Sequence, residues 1–413
     1  MKRSAGWRAV TGRIVRSWRQ GVHTVARQLR MQKNRAAMAE PFKHRIDPEL
    51  IALAATHLRR VQVDFPHRRF VALATAGLAE LELKQRVVHV AAALAATLPM
   101  EFAMAVAVLE RSLAPARNDD DLSQLVPSEH GLAGWFVWTM TEFVATRGLA
   151  HPVRALAALH AMTQRYTAEF AIRPFLIEHE AITLATLGRW ATDQSPHVRR
   201  LVSEGSRPRL PWGQQLRQFV ADPTPTLPLL AALQDDPSEY VRRSVANHLN
   251  DIAKDHPDVV AAWLEQHLEG ASSARRAMLK HASRTLVKRG DRRVLAVWGF
   301  AAAFGGEAEL RIVPSRVAIG GSMQLQLTLR STQKRSQRLV VDYVVQRVRR
   351  NGALAGRVRK GWVLELAAGE TRVLTKKHSW QPVTTRVDEP GKHTVTVMVN
   401  GRVVAEAAFD LRA

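Results

Sequence analysis

The sequence predicts a multidomain α + β chain: an α-solenoid of HEAT-like helical repeats followed by an immunoglobulin-like β-sandwich. Three observations carry that expectation. The first is a repeat. His197–Trp212, HVRRLVSEGSRPRLPW, is echoed by Tyr240–Asp251, YVRRSVANHLND, so that Val198-Arg199-Arg200 falls on Val241-Arg242-Arg243, 43 residues on. A weaker third copy, Ala274-Arg275-Arg276, follows after 33 more. Helical units recurring at such intervals bury their apolar stripes only by stacking on neighbours, which is what a solenoid is. The second is periodicity. From Asp47 to about Phe300 apolar residues return at three and four, as in Ile51, Leu53, Ala54, Leu58 and Val61, without strand-like alternation. The third is the switch to period two beyond Phe300.

Residues 1–37 hold many Arg and Lys residues and no Asp or Glu, with Trp7, Val10, Ile14, Val15 and Trp18 at roughly helical spacing. They are open to reading as an organelle-targeting peptide, a DNA-gripping arm or a membrane-surface helix. They also read as an upstream extension without structure, because MAEPFKHR from Met38 looks like the start of the folded part. The expected divisions are therefore 1–37 as a basic extension, 38–302 as the helical-repeat domain and 303–413 as the sandwich. Pro66, Pro99, the Asn118–Asp121 loop, Pro127, Pro152, Pro196, Pro237 and Pro257 punctuate the helices. Asp193 and Ser195, and Asp235, Asp236 and Ser238, stand where caps belong. In the last part, Met323–Leu329, Leu339–Val348, Trp362–Leu366, Thr371–Leu374 and Thr394–Val399 alternate as strands. Asn351-Gly352 and Asn400-Gly401 signal hairpin turns, and Gly305-Gly306 and Gly320-Gly321 read as turn chemistry too. Six or seven short strands in that span suit an immunoglobulin-like sandwich.

Composition narrows the partners. With 413 residues, 46% of them hydrophobic, the chain has enough apolar material for packed cores. A formal net charge of +23 exceeds what solubility requires and points to a polyanion, most simply nucleic acid. Cysteine is absent, which excludes disulfides, thiolate–metal sites and cysteine nucleophiles. No histidine spacing of the HExxH kind and no Gly-rich phosphate loop occurs, so neither a metal nor another cofactor is expected. No apolar run approaches 18 residues, so no membrane span is expected. A cytoplasmic, DNA-associated monomer fits.

In a helix, residues four apart share a face. Arg200 and Glu204 have that spacing, as do Arg243, Asn247 and Asp251, and upstream Glu169 and Arg173 in AEFAIRPFL. Stacking is expected to bring these onto one surface, the concave one. Isolated Arg–Glu pairs of this kind are ordinarily solvated contacts or braces between repeats. Carboxylates kept among arginines on a cationic protein oppose phosphate binding, however, and stabilising a cation is a reason to keep them. Trp212 and Phe170 supply flat faces suited to cation–π attraction, or to packing.

MAEPFKHR, FAIRPFL, HVRRLVSEGSRPRLPW and YVRRSVANHLNDIAKDHP together resemble the AlkC branch of the AlkC/AlkD DNA alkylation-repair glycosylases. The likeness runs from about Met38 to the end and includes the immunoglobulin-like module that some of these proteins carry. It implies a monofunctional DNA glycosylase removing N3-alkylated bases such as 3-methyladenine and 3-methylcytosine. It implies Glu169, Glu204 and Asp251 as the acidic residues, on successive repeat helices, and Phe170, Trp212 and Arg200 as the accompanying aromatic and cationic positions. Glu204 or Asp251 is expected to orient the attacking water. Phosphate contacts are expected from Arg199, Arg242, Arg275, Arg276 and Lys280, with the β module closing on double-stranded alkylated DNA from the other side. The competing expectation is a non-catalytic repeat scaffold binding DNA or protein.

Overall fold

The computed structural model describes residues 42–117, 119–301, 303–348, 354–382 and 388–413. The basic extension of residues 1–37, Asn118 and the Asn351-Gly352 turn lie outside them. The described residues form two compact units, one of 42–114 with 126–143 and one of 115–125 with 144–413.

The first unit is helical. α1 (Pro48–Val61) starts where Asp47 accepts the Leu50 N–H at 2.8 Å, with Pro48 at the first helical position, where a missing N–H costs nothing. α2 (His67–Thr75), α3 (Leu83–Ala95), α4 (Phe102–Arg111) and the first part of α5 (Trp135–Arg147) complete it. Phe65, Phe70 and Phe136 pack in its core, the first pair tilted and the second T-shaped, with centroids 5.7 and 6.4 Å apart.

The second unit holds α6 (Pro152–Thr163), α7 (Arg173–Glu178), α8 (Glu180–Trp190), α9 (Pro196–Gly205), α10 (Arg217–Ala221), α11 (Leu227–Leu233) and α12 (Glu239–Ile252). α13 (Pro257–His267), α14 (Ser273–Ala282), α15 (Arg284–Arg289) and α16 (Arg292–Val297) follow. α9 packs on α12 and α12 on α14. The echo is visible in what is buried, since Val198 and Val202 of α9 recur as Val241 and Val245 of α12, all at 0% exposure. The caps work differently from the usual side-chain pattern: Ser195 and Ser238 occupy the N-cap positions without a side-chain bond. Instead Asp193 accepts the Ser195 N–H at 2.8 Å and Asp236 the Ser238 N–H at 2.9 Å, the same device 43 residues apart.

The C-terminal module is a sandwich of β1 (Gly306–Val313), β2 (Arg316–Ala318), β3 (Ser322–Ser331), β4 (Gln337–Val348), β5 (Leu354–Ala355), β6 (Val358–Leu366), β7 (Thr371–Ser379), β8 (Gly391–Val399) and β9 (Arg402–Arg412). One sheet runs β1-β3-β7; the other runs β2-β9-β8-β4-β5, with β6 also on β4. Leu327, Val341, Val397 and the fully buried Trp380 fill the space between them. Asn400-Gly401 makes the tight turn the sequence announces, both residues at positive φ (48° and 76°). Gly306, by contrast, is no turn residue: it opens β1 opposite Ser331, and a Cβ there would sit 2.1 Å from the Arg330 carbonyl oxygen. Its glycine answers to a close backbone approach.

The sandwich is seated on the last helices. A Cβ on Gly401 would lie 2.1 Å from Cα of Gly290, the left-handed cap of α15. Asn400 accepts the Val340 N–H at 2.8 Å and donates to the Ala301 carbonyl at 2.7 Å, and Arg338 donates to the Trp298 carbonyl at 2.9 Å.

Candidate active site

Three carboxylates converge where α9, α12 and the turn before α7 meet. Glu204 lies in the last turn of α9 and Asp251 in the last turn of α12, at 7% and 2% exposure. Glu169 is equally buried at 8%, but it stands in the turn entering α7 and not on a repeat helix, so the expected i,i+4 helical relation to Arg173 does not exist. Gly205 makes the convergence possible. A Cβ there would meet Ile172 Cγ2 at 2.6 Å, so only glycine lets the turn carrying Glu169 press on the end of α9.

The centre of the cluster is Arg207, a residue outside the helical register and one the spacing argument passed over. Its Nη1 donates to Glu204 Oε1 at 2.7 Å, and its Nε and Nη2 reach Asp251 Oδ2, both at 2.8 Å. Ser244 donates to Glu204 Oε2 at 2.7 Å, and Lys254 to Asp251 Oδ1 at 2.8 Å. Arg200 Nη1 reaches Glu169 Oε2 at 3.0 Å, and its Nη2 lies 3.7 Å from Glu204 Oε1. The Arg200 guanidinium also covers the Tyr240 ring at 4.9 Å. Burial raises the Glu204 pKa, but Arg200 and Arg207, helped by the Ser244 hydroxyl, outweigh it and hold the carboxyl below the usual range. The same carboxylates keep Arg200 and Arg207 firmly charged against burial. Tyr240 is pushed up by burial and stays a neutral phenol.

The other expected residues divide by role. Arg199 grips Asp236 through two bonds of 2.6 and 3.1 Å and donates to the carbonyls of Asp193 and Gln194 at 2.7 and 2.9 Å. Arg242 repeats the gesture on the carbonyls of Asp236 and Pro237, and Arg275 forks onto Asp235. Of these three arginines, expected at phosphates, Arg199 and Arg275 join one repeat to the next and Arg242 ties down the turn before its own helix, because adjacent helix positions lie about 100° apart and the first arginine of each pair points into the inter-helix loop. Arg173 is fully buried, with burial lowering its pKa to about 10; it donates to the carbonyls of Gly205 and Gln214 and turns no face to a polyanion. Arg243 is exposed beside Glu239 at 2.7 Å, while Asn247 accepts from His281 and Arg284 at 2.9 and 3.2 Å. Those two share α12 with Asp251 but bond to Glu239, His281 and Arg284 and not to the carboxylate cluster. Arg276 and Lys280 are exposed on α14 and form no ion pair among the described residues.

Phe170 is half-buried beside Glu169. Trp212 is 62% exposed and held at φ 65°, a left-handed conformation that a bulky residue rarely adopts. Its loop is tied down by Arg173 through Gln214 and by the Leu216 N–H to the Pro208 carbonyl at 3.2 Å. Strain kept on an exposed aromatic is the pattern of a functional loop. Among the described residues no group of three or more His, Asp or Glu side chains is arranged to hold a metal ion, and no helix is long and apolar enough to cross a membrane.

Residues 165–286 match the family model described as "DNA alkylation repair enzyme", and residues 307–413 match "Uncharacterised protein YhaZ, C-terminal Ig-like domain". Helical repeats carrying this cluster and followed by this module define a protein of the DNA alkylation-repair class. The chain is 36% identical over 372 residues to the uncharacterized protein YhaZ of Bacillus subtilis (strain 168), covering 90% of this chain and 99% of that one. It is also 36% identical to the Pseudomonas fluorescens alkylpurine DNA glycosylase AlkC, solved bound to DNA containing an abasic site analog. That likeness has a TM-score of 0.80 and covers 91% of this chain and 100% of the other. The chain belongs to the AlkC family, in the form that carries a C-terminal immunoglobulin-like domain.

Proposed function

We propose that the chain is a monofunctional DNA glycosylase that hydrolyses the N-glycosidic bond of cationic N3-alkylated bases, 3-methyladenine and 3-methylcytosine, in double-stranded DNA. It acts as a cytoplasmic monomer without metal or cofactor. The observation that carries this reading is the gathering of Glu204 and Asp251, from successive repeats, onto one buried guanidinium, that of Arg207.

Alkylation at N3 leaves the base positively charged, so the glycosidic bond is weakened and the base departs without needing a proton. The bond breaks with its electron pair retained by the base, whose charge is thereby cancelled, and positive charge appears on the deoxyribose. Carboxylates facing that sugar stabilise the transition state more than the ground state, which is where electrostatic catalysis acts. Water then bonds to the anomeric carbon and releases a proton, with Glu204 or Asp251 as acceptor or orienting group. Glu169, held by Arg200, adds to the same field. Trp212 and Phe170 offer their faces to the lesion or its neighbours, and Arg200, Arg243, Arg276 and Lys280 supply positive charge along the strand.

The test is release of N3-methylated bases from alkylated duplex DNA by the wild type and by Glu204→Gln and Asp251→Asn. The reading expects release by the wild type and severe loss in both variants at unchanged fold and DNA affinity. A wild type that releases nothing overturns it in favour of a non-catalytic scaffold; two fully active variants overturn the site.

A further inference from the structure

The geometry points to Arg207 as a positioning residue: its guanidinium yokes Glu204 and Asp251 into one rigid anionic pair, so that two repeats present a single charge surface to the reacting sugar. This rests on the glycosylase reading and deepens it.

Arg207 follows α9 on the Ser206–Leu210 turn and is only 7% exposed. Each of its three N–H-bearing nitrogens is spent on a carboxylate, one on Glu204 and two on the same oxygen of Asp251. The fork is asymmetric, and that asymmetry fixes both carboxyl planes relative to one guanidinium plane. No other side chain in the cluster touches both: Arg200 reaches Glu204 and Glu169, Ser244 only Glu204, and Lys254 only Asp251. Arg207 is buried and all three of its nitrogens go to these two carboxylates, whereas the Arg200 guanidinium divides its contacts among Glu169, Glu204 and the Tyr240 ring. A planar fork does this and an ammonium does not, because one compact donor head cannot meet two carboxylates in fixed planes.

The yoke has a second consequence. Glu204 is faced by Arg200 on its own helix, Arg207 on the next turn, and Ser244, Tyr240 and His248 from α12, with Glu169, Asp251 and Arg173 close enough to act on the same set. Removing Arg207 takes away one of the two cations that keep Glu204 ionised.

Single-turnover base release from N3-methylated duplex, followed across the acid range for wild type, Arg207→Gln and Arg207→Lys, tests this. Both variants should bind duplex with wild-type affinity yet lose about 10²-fold in rate at neutral pH, the scale of a small displacement of reacting groups. The acid limb of Arg207→Gln should move to higher pH, and Arg207→Lys should return the limb without returning the rate. An active wild type with Arg207→Gln unchanged in rate and limb overturns the positioning role alone. So does full recovery of rate by Arg207→Lys, or failure of both variants to fold. A wild type without base release overturns the glycosylase reading and this role together.

Discussion

Arg199 on α9 holds Asp236, in the turn before α12, through two parallel N–H···O bonds of 2.6 and 3.1 Å, with the aspartate side chain only 3% exposed. The pair links one repeat to the next, and Asp236 spends its Oδ1 a second time on the Ser238 N–H. Removing one partner strands the other charge in a largely buried site, which costs about 3–5 kcal/mol for a buried pair. Arg199→Ala and Asp236→Ala should each lower the melting temperature markedly. Neither should change the slope of log affinity against log salt on duplex DNA, since neither residue releases counterions from phosphate.

Arg276 and Lys280 are expected to behave in the opposite way. They stand four apart on α14, exposed and without an ion pair among the described residues. Arg276→Gln and Lys280→Gln should leave thermal stability within about 0.5 kcal/mol of wild type, as surface changes do. Each should reduce the salt slope of duplex binding by about 1 and weaken affinity uniformly across sequences. A salt titration of the two single variants and the double variant checks both numbers at once.

These contrasting pairs show which parts of the protein are legible in the amino-acid order. The echo of VRR 43 residues apart reveals the stacked helices, because the same buried valines recur in each copy. It does not say which arginine of each pair turns outward. That depends on rotation about the helix axis relative to a neighbour, and spacing within one helix carries no such reference. Glu204 and Asp251 are visible as helical carboxylates in a family motif, whereas Arg207 is not. It sits three residues past Glu204 on an irregular turn and reaches a carboxylate 44 residues on. In the sandwich, β4 and β8 announce themselves through β-branched alternation. β9, RVVAEAAFDLR, carries alanines where a strand signal needs bulk, and it is placed by its pairing with β8.

Trp212 offers a test in which stability and function separate. A non-glycine residue in the left-handed region carries about 1–3 kcal/mol of strain, and this one buries little in return at 62% exposure. Trp212→Gly removes the ring and admits the backbone conformation freely, so the variant should melt at or above the wild-type temperature. Base release from alkylated duplex should fall in the same variant. Trp212→Phe, which keeps a smaller aromatic face and the strain, should retain part of the activity without the gain in stability. Parallel melting and single-turnover measurements distinguish this from a merely packing role, in which both quantities would drop together.

A buried histidine makes the stability of the fold depend on pH. His248 lies on α12, against α9, at 0% exposure, with Nδ1 3.0 Å from the Ser203 carbonyl and Nε2 buried without a hydrogen-bond partner among the described residues. Burial lowers its pKa from 6.5 to about 4, so the folded protein keeps it neutral where the unfolded chain does not. Because the folded value is the lower one, the full stabilisation is present above pH 6.5 and is lost as pH falls toward 4; below that both states hold the proton. Across that window the loss amounts to about 3 kcal/mol, at about 1.4 kcal/mol per pH unit. His248→Gln retains an N–H to offer the Ser203 carbonyl and does not titrate. Its unfolding free energy, measured by denaturant melts from neutral pH downward, should therefore lose this slope while keeping the acid sensitivity that Glu204 contributes at lower pH. Identical slopes in wild type and variant would mean that His248 takes up its proton in the folded state as readily as in the unfolded chain.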